Sequence, residues 1–364
     1  MVSRRQFLQV TAAAAALQVT GAATASAVEP APKRLRILFL GGTGFIGPHQ
    51  VEHALARGHE VTTFNRGRKS GLYGDRVEEL TGDRDARTGE GLSALTGSRS
   101  WDVVVDNSGY VPRHVRDSAE LLKGRVGRYL FVSTVAVYDF AAPDAPLVFD
   151  ESGPLVQLAN PSVEDVNGET YGPLKAEGER IVREIYGQAA TIVRPSFIVG
   201  PGDTTDRFTY WADRVARGGD VLGPPDRGYP LHLVDARDLC PWIVTLAEQD
   251  RAGIFNAAGP ATDMSFEQVL WGLAALTAEP VRFHWATAGS LEKAGLNLPL
   301  TGWFRRPFGF ANAASQAAGL RYRSLADSAN GTLAWWHSLP DARRAAARGW
   351  PTAEQERAVI QSLG

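Results

Sequence analysis

Apolar residues recur along this chain in short blocks, each followed by a turn and then by a helical spacing. Leu35-Arg36-Ile37-Leu38-Phe39-Leu40 is a nearly continuous apolar run, the pattern of a strand buried in a parallel sheet. The glycine-rich turn Gly41–Gly47 follows, then a helical pattern to about Arg57, which Gly58 stops. Glu60–Phe64 reads as the second strand and Val77–Leu80 as the third. Gly91–Leu95 reads as a short helix, Asp102–Val105 as the fourth strand, Arg113–Leu122 as a helix and Tyr129–Ser133 as the fifth strand. After an irregular stretch from Asp139 to Gly168, the spacing predicts a helix over Tyr171–Tyr186 and a β-branched strand over Ala190–Arg194. Alternation of this kind predicts an α/β fold, a doubly wound parallel sheet with helices on both faces.

Past Pro195 the rhythm loosens. Arg207–Arg217 and Asp238–Glu248 read as helices, Leu231–Val234 and Ile254–Asn256 as short strands, and the chain from Phe266 onward as mainly helical. The division predicted is a dinucleotide-binding domain over 28–195 and a smaller, mainly helical substrate lobe over 196–364, with pieces of the lobe returning to the main sheet. Residues 1–27 are set apart as a targeting segment. Ser3-Arg4-Arg5-Gln6-Phe7-Leu8, an alanine-rich stretch and Ala25-Ser26-Ala27 match a twin-arginine export signal with its cleavage site. Its polar interruptions make it too weakly apolar for a membrane span, so no membrane anchor is expected once it is removed.

Composition narrows the partners. Lys+Arg number 38 against 40 Asp+Glu, a net charge of −2, which leaves no electrostatic footprint for nucleic acid or an anionic membrane. The single cysteine, Cys240, excludes an internal disulfide framework, and the seven histidines lack metal-ligand spacing, so no metal is expected.

The turn Gly41-Gly42-Thr43-Gly44-Phe45-Ile46-Gly47 lies directly between a strand and a helix. Backbone N–H groups at a helix start attract a pyrophosphate, and side chains there would block its approach. Gly41, Thr43, Gly44, Phe45, Ile46 and Gly47 are therefore candidates for holding a dinucleotide. The second strand ends in Asn65-Arg66-Gly67-Arg68-Lys69, with no acid for a ribose 2′-hydroxyl. Arg66 and Arg68 favour a 2′-phosphate, hence NADP over NAD, although the same cations also read as a solvated basic loop. Asp83, after the third strand, is a candidate partner for the adenine amino group or a turn former.

Tyr171 and Lys175 stand four residues apart at a predicted helix start, which puts them on one face. A phenol ionises near pH ~10, too high to exchange protons freely at neutrality, and a nearby ammonium would favour the phenolate. Lys175 is expected to supply that ammonium and to bond the nicotinamide ribose. Ser133 and Thr134 end the fifth strand, where ligands of such sheets lie, and one hydroxyl there would orient a substrate oxygen.

Together these features resemble the extended short-chain dehydrogenase/reductase family, which includes nucleotide-sugar epimerases and dehydratases. The resemblance runs over roughly residues 35–260. It rests on the glycine turn, Asn107-Ser108-Gly109, Ser133-Thr134-x-x-Val137-Tyr138, Asp150-Glu151-x-x-Pro154-Leu155 and Tyr171-x-x-x-Lys175. Arg194-Pro195-x-x-x-x-Gly200-Pro201-Gly202, His232-Leu233-Val234-Asp235 and Phe255-Asn256 complete it. It implies a Rossmann-type sheet, Tyr171 as acid/base, Lys175 as activator and cofactor anchor, and Thr134 as substrate orienter. Ser108 would line the cofactor, and Ser196 with Phe197 would approach the nicotinamide. Asp203, Arg207 and His232 fall in segments that flank the substrate in this family, although each reads equally as a surface ion-pair member, and a homodimer through helices near 113–123 and 171–186 is implied.

Two departures matter. Val135 and Ala136 replace the Asp-Glu pair of the family's sugar dehydratases, which disfavours dehydration. The Asn65-Arg66-Gly67 ending also resembles a subgroup with chloroplast stem-loop RNA-binding proteins, whose members need not be enzymes. The expected activity is NAD(P)-dependent oxidoreduction or epimerisation of a secondary alcohol or ketone on a sugar- or polyol-like small molecule. The alternative is a catalytically silent cofactor-binding protein. Export makes a tightly held cofactor and redox-neutral chemistry the expected arrangement.

Overall fold

The chain is seen as a computed structural model that describes residues 28–301 and 307–363. The export-signal segment, residues 1–27, lies outside the described residues.

Seven parallel strands form the central sheet: β1 (Arg36–Leu40), β2 (Glu60–Asn65), β3 (Glu78–Thr81), β4 (Trp101–Asp106), β5 (Val126–Val132), β6 (Ala190–Pro195) and β7 (Gly253–Ala257). Their order is β7-β6-β5-β4-β1-β2-β3. The apolar run of β1 is buried except at Arg36, as expected for the middle of a sheet covered on both faces. One face packs α1 (Ile46–Ala56) beside α5 (Ala236–Glu248); the other packs α2 (Pro112–Leu122) beside α3 (Tyr171–Tyr186). Two separate apolar cores result, one around Phe39, Val105 and Trp242, the other around Leu38, Val104 and Phe131. Alternate side chains of β1 and β4 thus point to opposite helix layers.

From β1 the chain winds outward through β2 and β3, then returns to the far side of β1 as β4. At that reversal Leu40, the last residue of β1, is level with Asp106 of β4 and Phe64 of β2, and a crevice opens beyond these carboxyl ends. The glycine turn, Asn65, Asp83, Ser108, Thr134 and Ser196 all follow the carboxyl ends of strands and so share one rim.

The second lobe gathers around its own core of Phe208, Trp211, Leu222, Phe266 and Leu270. Helices predominate in it, as expected, and short strands that the sequence pattern did not show are added. Val281–Trp285 is a strand paired in parallel with Gly219–Gly223, and Gly309–Phe310 pairs with Val148–Phe149. These strands pair with one neighbour each and are either only partly buried or, like the buried Gly309–Phe310, two residues long, so they lack the continuous apolar run that marks the central strands. Helix α5 and edge strand β7 lie beyond residue 195 yet belong to the main sheet and its cover.

Candidate active site

Two adjoining compartments lie along the rim. One, of about 500 Å³, is lined by Gly41, Thr43, Gly44, Arg66, Arg68, Lys69, Asp83, Arg84, Ser108 and His114 among others. The second, of about 250 Å³, is lined by Phe45, Ile46, Thr134, Tyr171, Lys175, Ser196, Arg207 and His232 among others. Asn107 and Tyr110 border both. Every residue singled out in the sequence for cofactor or catalysis lines one of these two spaces except Gly47.

Gly47 acts from beneath. A Cβ there would stand 2.3 Å from the Gly42 carbonyl, so only glycine lets α1 start this close to the turn. Gly44 is the opposite case, since its Cβ position has nothing within 4 Å and faces open space. The first turn of α1 carries no capping side chain and no acid. Its backbone N–H groups and the helix dipole are therefore available to an anion. Lys69 Nζ donates to the Thr43 carbonyl at 3.3 Å and Thr43 Oγ1 to Asn65 Oδ1 at 3.2 Å, which ties the basic loop to the glycine turn. The Ser133 and Ser196 hydroxyls are buried in the second compartment without a hydrogen-bond partner among the described residues. Uncapped N–H groups, an open Gly44 face and two orphaned hydroxyls together fit a nicotinamide dinucleotide laid across both spaces.

Asp83 accepts from the Asp85 N–H at 2.9 Å, so its turn role is made while it also lines the first compartment. Ser108 is held by the Leu40 carbonyl at 3.1 Å and by Arg84 at 3.0 Å. Arg84 is itself a residue the sequence reading overlooked. Its buried guanidinium forks onto Asp106 at 2.6 and 3.0 Å, and Tyr129 donates to the same carboxylate at 2.7 Å. Opposite charge and hydrogen bonds hold the Asp106 carboxyl below its usual range against the pull of burial. An acid that ends an otherwise apolar strand was the available signal.

Helix α3 places the catalytic candidates. A Cβ on Gly172 would lie 2.2 Å from the Ala136 carbonyl, so this glycine lets α3 press against the turn after β5. Thr134 caps that turn, accepting from the Ala136 N–H at 3.2 Å. Lys175, 2% exposed, donates to the Val132 carbonyl at 2.7 Å and lies 4.8 and 4.7 Å from the ring centres of Tyr110 and Phe131.

Burial pushes the Tyr171 phenol up to about 12, with Tyr110 adding to the shift, while a hydrogen bond with Thr134 and the charge of Arg207 oppose it. Arg207 is a cation that opposes this rise, while Lys175 Nζ is directed at the Val132 carbonyl. Burial also pushes Lys175 itself down to about 8. The spacing alone put Tyr171 and Lys175 on one face without showing that a strand carbonyl holds the ammonium.

That shift makes a stability prediction. The unfolded chain keeps the lysine proton to about pH 10.4, the folded one only to about 8. Between these values the unfolded chain binds more protons, so stability rises with pH. The wild type should therefore gain on Lys175→Met between pH 8 and about 10.4 and hold a constant offset below that window. Tyr171, common to both proteins, cancels in the comparison. Denaturant midpoints at pH 7 and pH 9.5 check it, and parallel pH dependences would contradict a buried ammonium.

Elsewhere in the second compartment Asp203 Oδ1 accepts from Thr205 N and Oγ1 at 2.8 and 2.7 Å, and burial pushes its carboxyl up. Arg207 lies 4.9 Å from the Phe197 ring centre, its Nε donating to Thr205 Oγ1 at 3.0 Å. His232 contacts the Phe308 carbonyl at 3.0 Å through Nε2 and meets the Phe310 ring edge-on. Beneath the cleft, the remaining sequence motifs meet in one buried network. Arg194 binds Glu179 at 2.7 to 3.2 Å and Tyr138 at 3.0 Å; Tyr138 donates to Asn256 at 2.6 Å, and Glu151 accepts from the Asn256 N–H at 2.9 Å.

The sequence model of the NAD dependent epimerase/dehydratase family matches residues 37–258. The chain belongs to this family. A UDP-glucose 4-epimerase of Erwinia amylovora is 26% identical to this family member over 256 residues, covering 63% of the chain and 67% of the epimerase. The chloroplast stem-loop binding protein of 41 kDa b from Arabidopsis thaliana is 24% identical over 241 residues, 62% of the chain and 58% of that protein's length. Among solved structures, the Bordetella bronchiseptica enzyme WbmG in complex with NAD superposes with a TM-score of 0.62 at 19% identity. That likeness covers 84% of this epimerase-family chain and 95% of the other. Among the described residues no group of three or more His, Cys, Asp or Glu side chains is placed to hold a metal ion. No described helix is long and apolar enough to cross a membrane.

Proposed function

We propose that this protein is an NAD(P)-dependent epimerase or oxidoreductase acting on a secondary alcohol or ketone of a sugar- or polyol-like molecule. The observation that carries the reading is the convergence of Tyr171, Thr134, Ser133, Ser196 and Arg207 on one cleft continuous with the glycine turn. The turn and the N–H groups of α1 would hold the pyrophosphate, Ser108 and Asp83 the adenosine half, and Lys175 and Ser196 the nicotinamide end. When bound there, the cofactor would supply hydride chemistry at the substrate carbon. Thr134 then orients the substrate oxygen, and Tyr171 takes or returns its proton. Arg207 stabilises the phenolate form across the cleft. The apolar walls of Phe45, Ile46, Phe197 and Phe310 limit water around the reacting oxygen.

NADP is the cofactor this reading prefers. Asn65 puts no carboxylate at the end of β2, and Arg66, Arg68 and Lys69 line the adenosine compartment. A charge-assisted hydrogen bond is worth about 1.5–3 kcal/mol. Arg66→Glu is therefore expected to lower the ratio of NADP to NAD affinity about ten- to a hundredfold. Titration with both cofactors checks it, and an unchanged ratio would leave Arg66 as solvated loop.

Export by the twin-arginine route, from the segment at residues 1–27, belongs to the same proposal. A molecule that leaves the cytoplasm carrying its cofactor favours redox-neutral turnover such as epimerisation. Protein purified from the export compartment and dialysed exhaustively should still yield a nicotinamide dinucleotide on mass analysis; apo protein of only millimolar cofactor affinity would defeat the idea. A homodimer through α2 and α3 is also proposed. The outward faces of these helices carry Arg116, Glu184 and Arg180 in mutual ion pairs, so such an interface would be charged.

The similarity to the stem-loop binding protein favours a second reading, a cofactor-binding protein without turnover. Incubation with UDP-glucose and NAD or NADP separates the two: conversion of the sugar supports the enzyme, while cofactor binding without conversion of this or any related UDP-sugar supports the silent protein.

A further inference from the structure

Helix α4 (Arg207–Ala216) starts immediately beyond the cleft, and Asp206 stands at its N-cap. Asp206 is fully buried and holds φ 58° and ψ 13°, a left-handed backbone uncommon outside glycine. An aspartate in this position ordinarily gives its carboxylate to the first N–H groups of its own helix. This one makes no such cap. Its Oδ1 accepts from an Arg343 guanidinium nitrogen at 2.6 Å and its Oδ2 from the Arg348 N–H at 3.1 Å. Its backbone carbonyl accepts from the Trp350 indole at 2.9 Å. The C-terminal segment thus grips one strained residue at three points, and strain of this kind persists where surrounding structure over-determines it.

The neighbours of Asp206 explain what the grip accomplishes. Thr205 and Arg207 flank it directly and line the cleft with Asp203, the three joined by the Asp203–Thr205 and Thr205–Arg207 hydrogen bonds. We propose that Asp206 is a positioning residue, fixed by Arg343, Arg348 and Trp350, which sets the turn that presents Thr205 and Arg207 to the substrate. The proposal rests on reading the cleft as the substrate site. It makes residues 343–350, which do not line the cleft, part of what determines substrate binding.

The far end of α4 supplies a control. Arg214, in its last turn, binds Glu356 of the C-terminal helix at 2.7 and 3.0 Å, buried and away from the cleft. Arg343→Gln, Arg343→Lys and Glu356→Gln should be compared by hydrogen exchange of the 203–209 segment, cofactor titration, Tm, and kinetics with UDP-glucose. Arg343→Gln is expected to speed exchange across 203–209 and to raise KM about tenfold. Its kcat should also fall, because Arg207 supports the Tyr171 phenolate, while its cofactor affinity should be unchanged. Arg343→Lys should restore part of the KM. Glu356→Gln should lose more Tm and leave both KM and the exchange of 203–209 as in the wild type. The proposal is overturned if Arg343→Gln leaves exchange and KM unchanged, or if both track Tm across the variants. Should the wild type not convert UDP-glucose, the functional reading of that substrate fails, and exchange alone decides this proposal.

Discussion

Tyr171→Phe is expected to lose about 10²- to 10⁴-fold in kcat/KM, the usual contribution of a positioned acid/base. At 1.36 kcal/mol per tenfold this is roughly 3–5 kcal/mol of barrier. The change removes one oxygen and keeps the ring against Tyr110, whose centroid is 6.3 Å away. Gly44, Arg66, Ser108 and the start of α1 are untouched, so cofactor affinity should stay within about twofold, which separates this loss from a binding defect. Steady-state kinetics beside a cofactor titration check it. Turnover within about tenfold of wild type would show that another group moves the proton.

Glu179→Leu is expected to cost about 3–5 kcal/mol of folding stability. Arg194 and Glu179 are both almost fully buried, and removing the carboxylate leaves the guanidinium with Tyr138 and the Glu151 carbonyl as its remaining partners. An uncompensated buried charge is far worse than an apolar pair of the same volume, so adding Arg194→Met to Glu179→Leu should recover much of the loss. Denaturant unfolding of both variants measures it. A single variant within about 1 kcal/mol of wild type would mean the cleft floor tolerates an unpaired cation.

Both predictions depend on features of different legibility. The helix Tyr171–Tyr186 is the same in sequence and structure because its amphipathic spacing is a local signal. The central strands are legible for a related reason, since burial on both faces leaves continuous apolar runs. Strand Val281–Trp285 escaped the reading, being paired on one side and only partly buried. In the site, Thr134, Tyr171 and Lys175 come together as their positions at strand end and helix start require. What the spacing did not contain was long-range pairing. Arg84 with Asp106, Arg207 across from Tyr171, and Asp206 under the C-terminal segment are partners distant in sequence, and only the folded chain brings them together.

The account stands on a dinucleotide lying between the glycine turn and Tyr171. Hydrogen exchange of the wild-type protein with and without saturating NADP or NAD tests this most directly. Protection concentrated in the segments that line the two compartments, residues 41–47, 65–69, 82–84, 106–110, 171–175 and 195–197, is the predicted result. Unchanged exchange in the glycine turn and around Tyr171 at millimolar cofactor, or protection only at segments away from both compartments, would contradict it.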